Sequence, residues 1–278
     1  MKTVTSCSGG KTSSYIAANY PADHFIFSLV RTADKKVAFK DKVLKKMVED
    51  KLNTDFVGTL ENDSIITTMF ELEQFIGKEI EWVTGDLFEN IIKKATILPC
   101  AMRRFCTTEL KMKPIFHWWR EKFDMQPVAM NIGYRRTEQR RAKRMLDQLN
   151  DQDLSVFRAS WEKCHNNRNI WHNVAWRKPQ FPLIDDYIDH HDVNDFWKNK
   201  PVTFAAFNNC IGCPNFTVSR LKYSSENFPE KFQWFVDQES KVDSNWKKNI
   251  TYAQIQQMPK QLDIFNSEIG CDSGFCGM

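Results

Sequence analysis

Long apolar runs are missing from this 278-residue chain. None approaches the roughly 18 residues needed to span a bilayer, so no membrane-spanning helix is expected. The first residues lack the basic start and apolar centre of a secretory signal, and the expected location is cytoplasmic, without a membrane partner. No charge excess names a partner either: 39 basic residues against 35 acidic leave a net +4. No internal repeat and no low-complexity linker divides the chain. Histidine is scarce, at 6 residues. His190 and His191 precede a helix start at Asp192 and suit a surface or capping place, while His165 and His172 near Cys164 leave a zinc site as a minor alternative.

What is present is ordinary for a folded protein. Hydrophobic residues make up 42% and charged residues 27%, enough to bury the core of one large domain, or of one domain with an appendage. The unusual feature is cysteine, with eight residues at positions 7, 100, 106, 164, 210, 213, 271 and 276. In a reducing compartment such thiols point to metal ligation or redox chemistry rather than structural disulfides.

The first half alternates strand-like and helix-like segments. "KTVTSC", "HFIFSLV" (24–30), "DFVGTL" (55–60), "IEWVTG" (80–85) and "PVAMNIG" (127–133) read as strands. Residues 11–19, 36–52 and 64–76 read as helices. Strands alternating with helices predict an α/β fold, a doubly wound, mostly parallel, Rossmann-like sheet. Beyond residue 150 the periodicity fades, and residues 215–262 again suit helices. The expected division is a nucleotide-binding α/β domain over 1–150 and a mainly helical, cysteine-bearing extension over 151–278, packed on the first. Trp118, Trp119, Trp171 and Trp176 are expected to pack in the core, with base stacking the second reading.

"SCSGGKTSS" lies where the first strand should hand over to the first helix. Glycines at 9 and 10 permit backbone conformations and close approaches barred to other residues. Amides at a helix start favour an anion. Ser8, Lys11, Thr12 and Ser13 add donors. Two basic clusters follow, Arg103, Arg104, Lys111 and Lys113, then Arg135, Arg136, Arg140, Arg141, Lys143 and Arg144. Each can be a solvated face or an anion site.

The loop does not have the spacing of the GxxxxGK[ST] motif. It resembles the SGGxxS loop of the PP-loop superfamily, the adenine-nucleotide alpha hydrolases, most of which carry Asp where Thr12 stands here. Three further stretches are similar to the phosphoadenylylsulfate (PAPS) reductase branch: "RRFCTTELKMKPI" (103–115), "IGYRRTEQRRAKR" (132–144) and "FPLIDDYIDHHDVNDFW" (181–197). The four motifs span residues 6–197 in matching order. The resemblance implies that Ser8, Gly9, Gly10, Lys11, Thr12 and Ser13 hold phosphate oxygens, with Lys11 a charge at the reacting group. Arg135, Arg136 and Arg141 would face a phosphosulfate or a β–γ phosphate, since guanidinium forks bind oxyanions bidentately. Glu138 would orient an arginine. The bound nucleotide would be ATP, adenylylsulfate or PAPS.

"NNCIGCPN" places Cys210 and Cys213 as a C-x-x-C pair, which can be two ligands of one metal, a redox dithiol or a chance spacing. Cys106 stands where the branch's adenylylsulfate reductases carry cluster cysteines, but Thr107 replaces the second of their Cys-Cys pair. The resemblance implies an iron–sulfur cluster (4Fe-4S, with zinc the alternative) on Cys106, Cys210 and Cys213. Cys100 is the first choice for the fourth ligand, with Cys164, Cys271 or Cys276 as substitutes. Reductases of the branch end in Glu-Cys-Gly-Leu-His; here the tail reads "SEIGCDSGFCGM", leaving Cys271 or Cys276 as the candidate nucleophile. The expected function is that of a PAPS reductase-like enzyme. The alternatives are an ATP pyrophosphatase that adenylates and thiolates or otherwise modifies nucleic acid, and a non-catalytic nucleotide-binding partner. A thiol reductant protein, nucleic acid and self-association stay open as partners.

Overall fold

The computed structural model describes residues 1–259. Its centre is a six-stranded sheet in the order β3-β2-β1-β4-β6-β5. β1 (Thr3–Cys7) lies between β2 (His24–Leu29) and β4 (Val128–Asn131), parallel to both. β3 (Ile80–Thr84) extends the sheet beyond β2, also in parallel. β6 (Asn169–Gln180) runs parallel to β4 through Arg177–Gln180, and β5 (Ser155–Lys163) closes the edge antiparallel to β6. The fold is α/β, mostly parallel and compatible with a Rossmann-like architecture.

Alternation along the strands divides the core. Phe25, Phe27 and Leu29 face α1 (Lys11–Asn19), α2 (Lys42–Leu52) and α3 (Ser64–Ile76) in one apolar cluster. Ile26, Val4 and Met130 face the other way, against α6 (Lys113–Lys122) and α7 (Gln139–Leu146). These are the two covered faces that a parallel sheet requires. A third cluster joins α4 (Phe88–Ala95) to α10 (Val218–Asn227), α11 (Pro229–Lys241) and α12 (Tyr252–Gln257). Short helices α5 (Phe105–Thr107), running into a π-helical turn at Thr108–Met112, α8 (Pro182–Asp185) and α9 (His190–Trp197) complete the chain.

Local chemistry sets several boundaries. The Asp41 carboxylate accepts from the Val43 and Leu44 amides and starts α2, which ends on Asn53 in the left-handed region. α3 stops at Gly77, also left-handed.

One expectation needs correction. Residues 55–60 are not a strand of the sheet, because two helices cross between β2 and β3 and those strands pair directly. The segment instead lies against the 32–39 loop, with Thr32 N–H donating to Gly58 O at 3.0 Å and Phe39 N–H to Val57 O at 2.9 Å. The stretch after residue 150, where the periodicity fades, forms β5 and β6, which continue the first half's sheet across that boundary, and helices α8–α12 follow.

Candidate functional site

The chain leaves β1 for β2 on one side, then returns after β3 to place β4 on the other. The strand order therefore reverses between β1 and β4, and ligands of open α/β sheets bind beyond the carboxyl ends of strands at such a point. Two motifs singled out in the sequence emerge there. β1 runs into Ser8–Gly10 and α1, and β4 runs into Gly133, Tyr134 and Arg135. Asn131 Nδ2 donates to Thr5 Oγ1 at 3.0 Å and ties the two strands below their exits.

The loop is held by its own hydroxyls. Ser8 Oγ and Ser13 Oγ are 2.8 Å apart, Ser8 N–H donates to Ser13 Oγ at 3.1 Å, and Ser13 Oγ donates to Gly10 O at 3.1 Å. Gly9 has φ +73°, the left-handed region, and Gly10 is the extended residue before α1. Thr12 is buried, and a Cβ on Gly133 would stand 3.4 Å from its Cγ2. The first helical turn and the β4 exit are thus in close approach. Cys7, just before the loop, is buried, which pushes its thiol up to about 12.

Lys11 reaches outward. Its Nζ donates to Asn194 Oδ1 at 2.8 Å, and its backbone carbonyl accepts from Trp197 Nε1 at 3.0 Å. Both partners are on α9, whose start is capped by Asp189. Asn194 Nδ2 in turn lies 2.8 Å from His190 Nδ1. Neither Asn194 nor this role for α9 was singled out in the sequence.

The arginines separate into distinct roles. Arg135 is 8% exposed, and its Nη1 is buried without a hydrogen-bond partner. Glu138 Oε2 accepts from its backbone N–H and its Nε, both at 3.2 Å. Glu138 Oε1 accepts from Arg141 Nη1. Arg141 also lies over the Tyr134 ring, 4.5 Å from its centroid. One carboxylate therefore holds two guanidiniums, and Arg135 retains an unused buried donor. Arg136 is exposed, and its N–H donates to Ile188 O at 2.9 Å; the Asp189 carboxyl is held below the usual range by the His191 and Asp192 amides, with a smaller contribution from the Arg136 charge.

Three of the six described cysteines lie together. Cys106, Cys210 and Cys213 border the third apolar cluster. Cys213 N–H donates to Cys210 O at 3.0 Å, and Cys210 bridges Glu61 backbone to backbone. Glu61, 1% exposed, accepts from Lys111 Nζ at 2.7 Å, and its carbonyl accepts from Lys231 Nζ at 2.6 Å. Burial pushes the Cys210 thiol well up; Glu61, Cys213 and Cys106 add to this and Lys111 opposes it. Three thiols thus share one neighbourhood, a donor set suited to a soft metal. Among the described residues, however, no three His, Cys, Asp or Glu side chains are arranged to hold a metal ion. Cys100 sits in a separate turn, with its amide and carbonyl exchanging hydrogen bonds with Arg103. Cys271 and Cys276 lie outside the described residues.

The tryptophans also separate. Trp119 and Trp176 are buried in the core, and Trp118 donates to Glu81 Oε2 at 2.8 Å. Trp171 is 54% exposed, contrary to the packing expected of it. Two cavities, of about 370 and 550 Å³, lie along residues 17–21 with α3 and between α7 and residues 181–187. Neither is lined by a residue of the Ser8–Ser14 loop. No membrane-length apolar helix occurs among the described residues.

No family model matches the sequence, and comparison with curated proteins and with solved structures returned no significant match.

Proposed function

We propose that the chain binds the phosphate-bearing part of an adenine nucleotide at the β1–β4 crevice and acts as a PAPS reductase-like enzyme of PP-loop type. The observation that supports this most is the Arg135 guanidinium, buried with an unused donor where β4 ends, beside the strand that feeds the Gly9–Gly10 loop. A buried cation without a full set of partners is costly, and an oxyanion meets both its charge and its geometry. Glu138 fixes its orientation. Lys11, held at Asn194, can turn its ammonium to a phosphate oxygen.

In the proposed reaction a thiolate, from Cys271 or Cys276, attacks the sulfur of an adenylylated sulfate. A sulfur–sulfur bond forms, the sulfur–oxygen bond to the nucleotide phosphate breaks, and the phosphate leaves with the electron pair. A dithiol reductant then releases sulfite and is itself oxidised to a disulfide. Cys106, Cys210 and Cys213 are the proposed holders of an iron–sulfur cluster, which when bound supplies redox-active or electrostatic metal chemistry.

A second reading, an ATP pyrophosphatase acting on nucleic acid, is favoured by one observation, the exposed Trp171. Titrating adenylylsulfate, PAPS and ATP against wild type, Arg135→Ala and Arg144→Ala tests the proposal. Loss of a charged hydrogen-bond partner typically costs about 1.5–3 kcal/mol, so Arg135→Ala should weaken binding roughly 10- to 150-fold. Arg144, exposed on α7, should matter little. Equal binding by wild type and Arg135→Ala for all three ligands rejects the pocket, and preference for ATP over both sulfonucleotides selects the second reading.

A further inference from the structure

β6 is twelve residues long, but only its last four pair with β4. The preceding eight run past the amino-terminal end of β4 and pair with β5. At about 3.3 Å per residue the ribbon projects roughly 25 Å beyond that edge, the end of the sheet opposite the β1–β4 crevice. Its tip is a tight turn, with Cys164 N–H donating to Arg168 O and Asn167 N–H to Cys164 O, both at 2.9 Å. Asn167 takes the left-handed conformation the turn needs.

Near the sheet the ribbon packs, through Phe157, Ala159, Val174 and Trp176. Towards the tip, residues 162–171 are exposed except Cys164, which is half-buried. There Arg158 lies over the Trp171 ring, 5.1 Å from its centroid. On the other face Arg120 of α6 lies over Trp161 at 5.1 Å, and Trp161 stacks on His172 at 4.5 Å. From Arg158 to His172 the ribbon carries Arg158, Lys163 and Arg168 against one acid, Glu162.

Aromatic planes paired with guanidiniums on a basic arm match an extended polyanion whose bases are unstacked. A base stacks on an exposed aromatic face such as that of Trp171, and phosphates pair with cations beside it. Exposed amides of Asn166, Asn167, Asn169 and Asn173 add hydrogen-bonding groups beside them. We infer that the β5–β6 ribbon is a docking arm for single-stranded nucleic acid, with Trp171 and Arg158 at its centre. This surface is separate from the crevice and does not depend on what the crevice binds.

The test is fluorescence anisotropy with the full chain and a labelled 15-nucleotide oligo(dT), at several salt concentrations. Wild type should bind, with affinity falling as salt rises. Trp171→Ala should weaken binding about tenfold, and Trp171→Phe should restore most of it, since every base stacks on an aromatic face. Arg158→Ala should reduce the slope of log affinity against log salt by about 0.7, the value for one phosphate contact on a single strand. Lys46→Ala, exposed on α2, should bind as wild type does. Circular dichroism checks that each variant is folded. Absence of binding, unchanged binding by both Trp171→Ala and Arg158→Ala, or tighter binding of a matched duplex overturns the inference. Nucleotide titration of Trp171→Ala keeps the two proposals distinct, because failure at the crevice leaves the arm's result standing.

Discussion

Gly9 and Ile65 meet so closely that position 9 has no room for a side chain: a Cβ there would stand 2.6 Å from Ile65 Cγ2. Ile65 is fully buried in the cluster beneath α1 and α3, so it cannot swing away cheaply. Gly9→Ala must in addition hold a left-handed φ of +73°. The variant should lose about 1–3 kcal/mol of stability, the cost of a strained backbone position, and should also lose nucleotide affinity. Urea denaturation beside nucleotide titration measures both. Unchanged stability would mean that the loop relaxes and that glycine is not required there.

The thiol neighbourhood carries the metal proposal. Protein prepared without oxygen should contain iron and acid-labile sulfide, or zinc. Cys210→Ser and Cys213→Ser should each reduce that content to background, whereas Cys164→Ser should not. Metal-free wild-type protein from a strictly anaerobic preparation counts against a resident cluster, whatever the protein's activity.

Two other cysteines should respond to pH in opposite ways. At Cys100 burial pushes the thiol up, but the amides of Met102 and Arg103 and the Arg103 guanidinium outweigh it and hold the group below its ordinary value. At Cys7 burial alone raises it to about 12. Alkylation proceeds through the thiolate. The rate at Cys100 should therefore level off at a lower pH than for a free cysteine, and Cys7 should stay unmodified in native protein up to pH 9. Peptide mass spectrometry across a pH series reads both sites. Rapid native labelling of Cys7 would show that the β1 exit opens.

Glu81 on β3 receives Lys122 Nζ at 2.6 Å and Trp118 Nε1 at 2.8 Å. Burial raises its pKa, but these donors outweigh burial and leave the carboxyl below its ordinary value. The folded state thus binds this proton more weakly than the unfolded chain. The stabilisation is fully present above the unfolded pKa of about 4.3 and disappears as pH falls through the lower folded value. Glu81→Gln should cost about 1 kcal/mol at pH 7, a figure reduced by its partial exposure, and the difference from wild type should vanish near pH 2. A gap that persists in acid would assign the effect to packing.

Much of this was legible in the sequence where periodicity or a backbone demand is local. α1 and α3 occupy residues 11–19 and 64–76 as the pattern predicts, because each begins and ends beside its own chain signals, Gly10 and Gly77 among them. β5 and β6 were not legible, because their outer halves are wet on both faces and show no alternation. The strand reading of 55–60 failed because a short apolar run cannot say whether a sheet position is open to it. In the site, the glycine pair and Arg135 announced themselves through type and spacing. The Lys11–Asn194 contact joins residues 183 positions apart, and nothing local to either residue encodes it.

The position of β1 also has a consequence for synthesis. As the chain emerges, β1 can pair with β2 at once, but its other edge waits for β4, more than a hundred residues later. Until Val128–Asn131 arrives, β1 presents open amides and carbonyls, the template on which misfolded chains associate. A nascent chain halted before residue 128 should therefore be aggregation-prone, and one extended past β6 should not. The crevice that defines the site can exist only after that late strand closes the central edge.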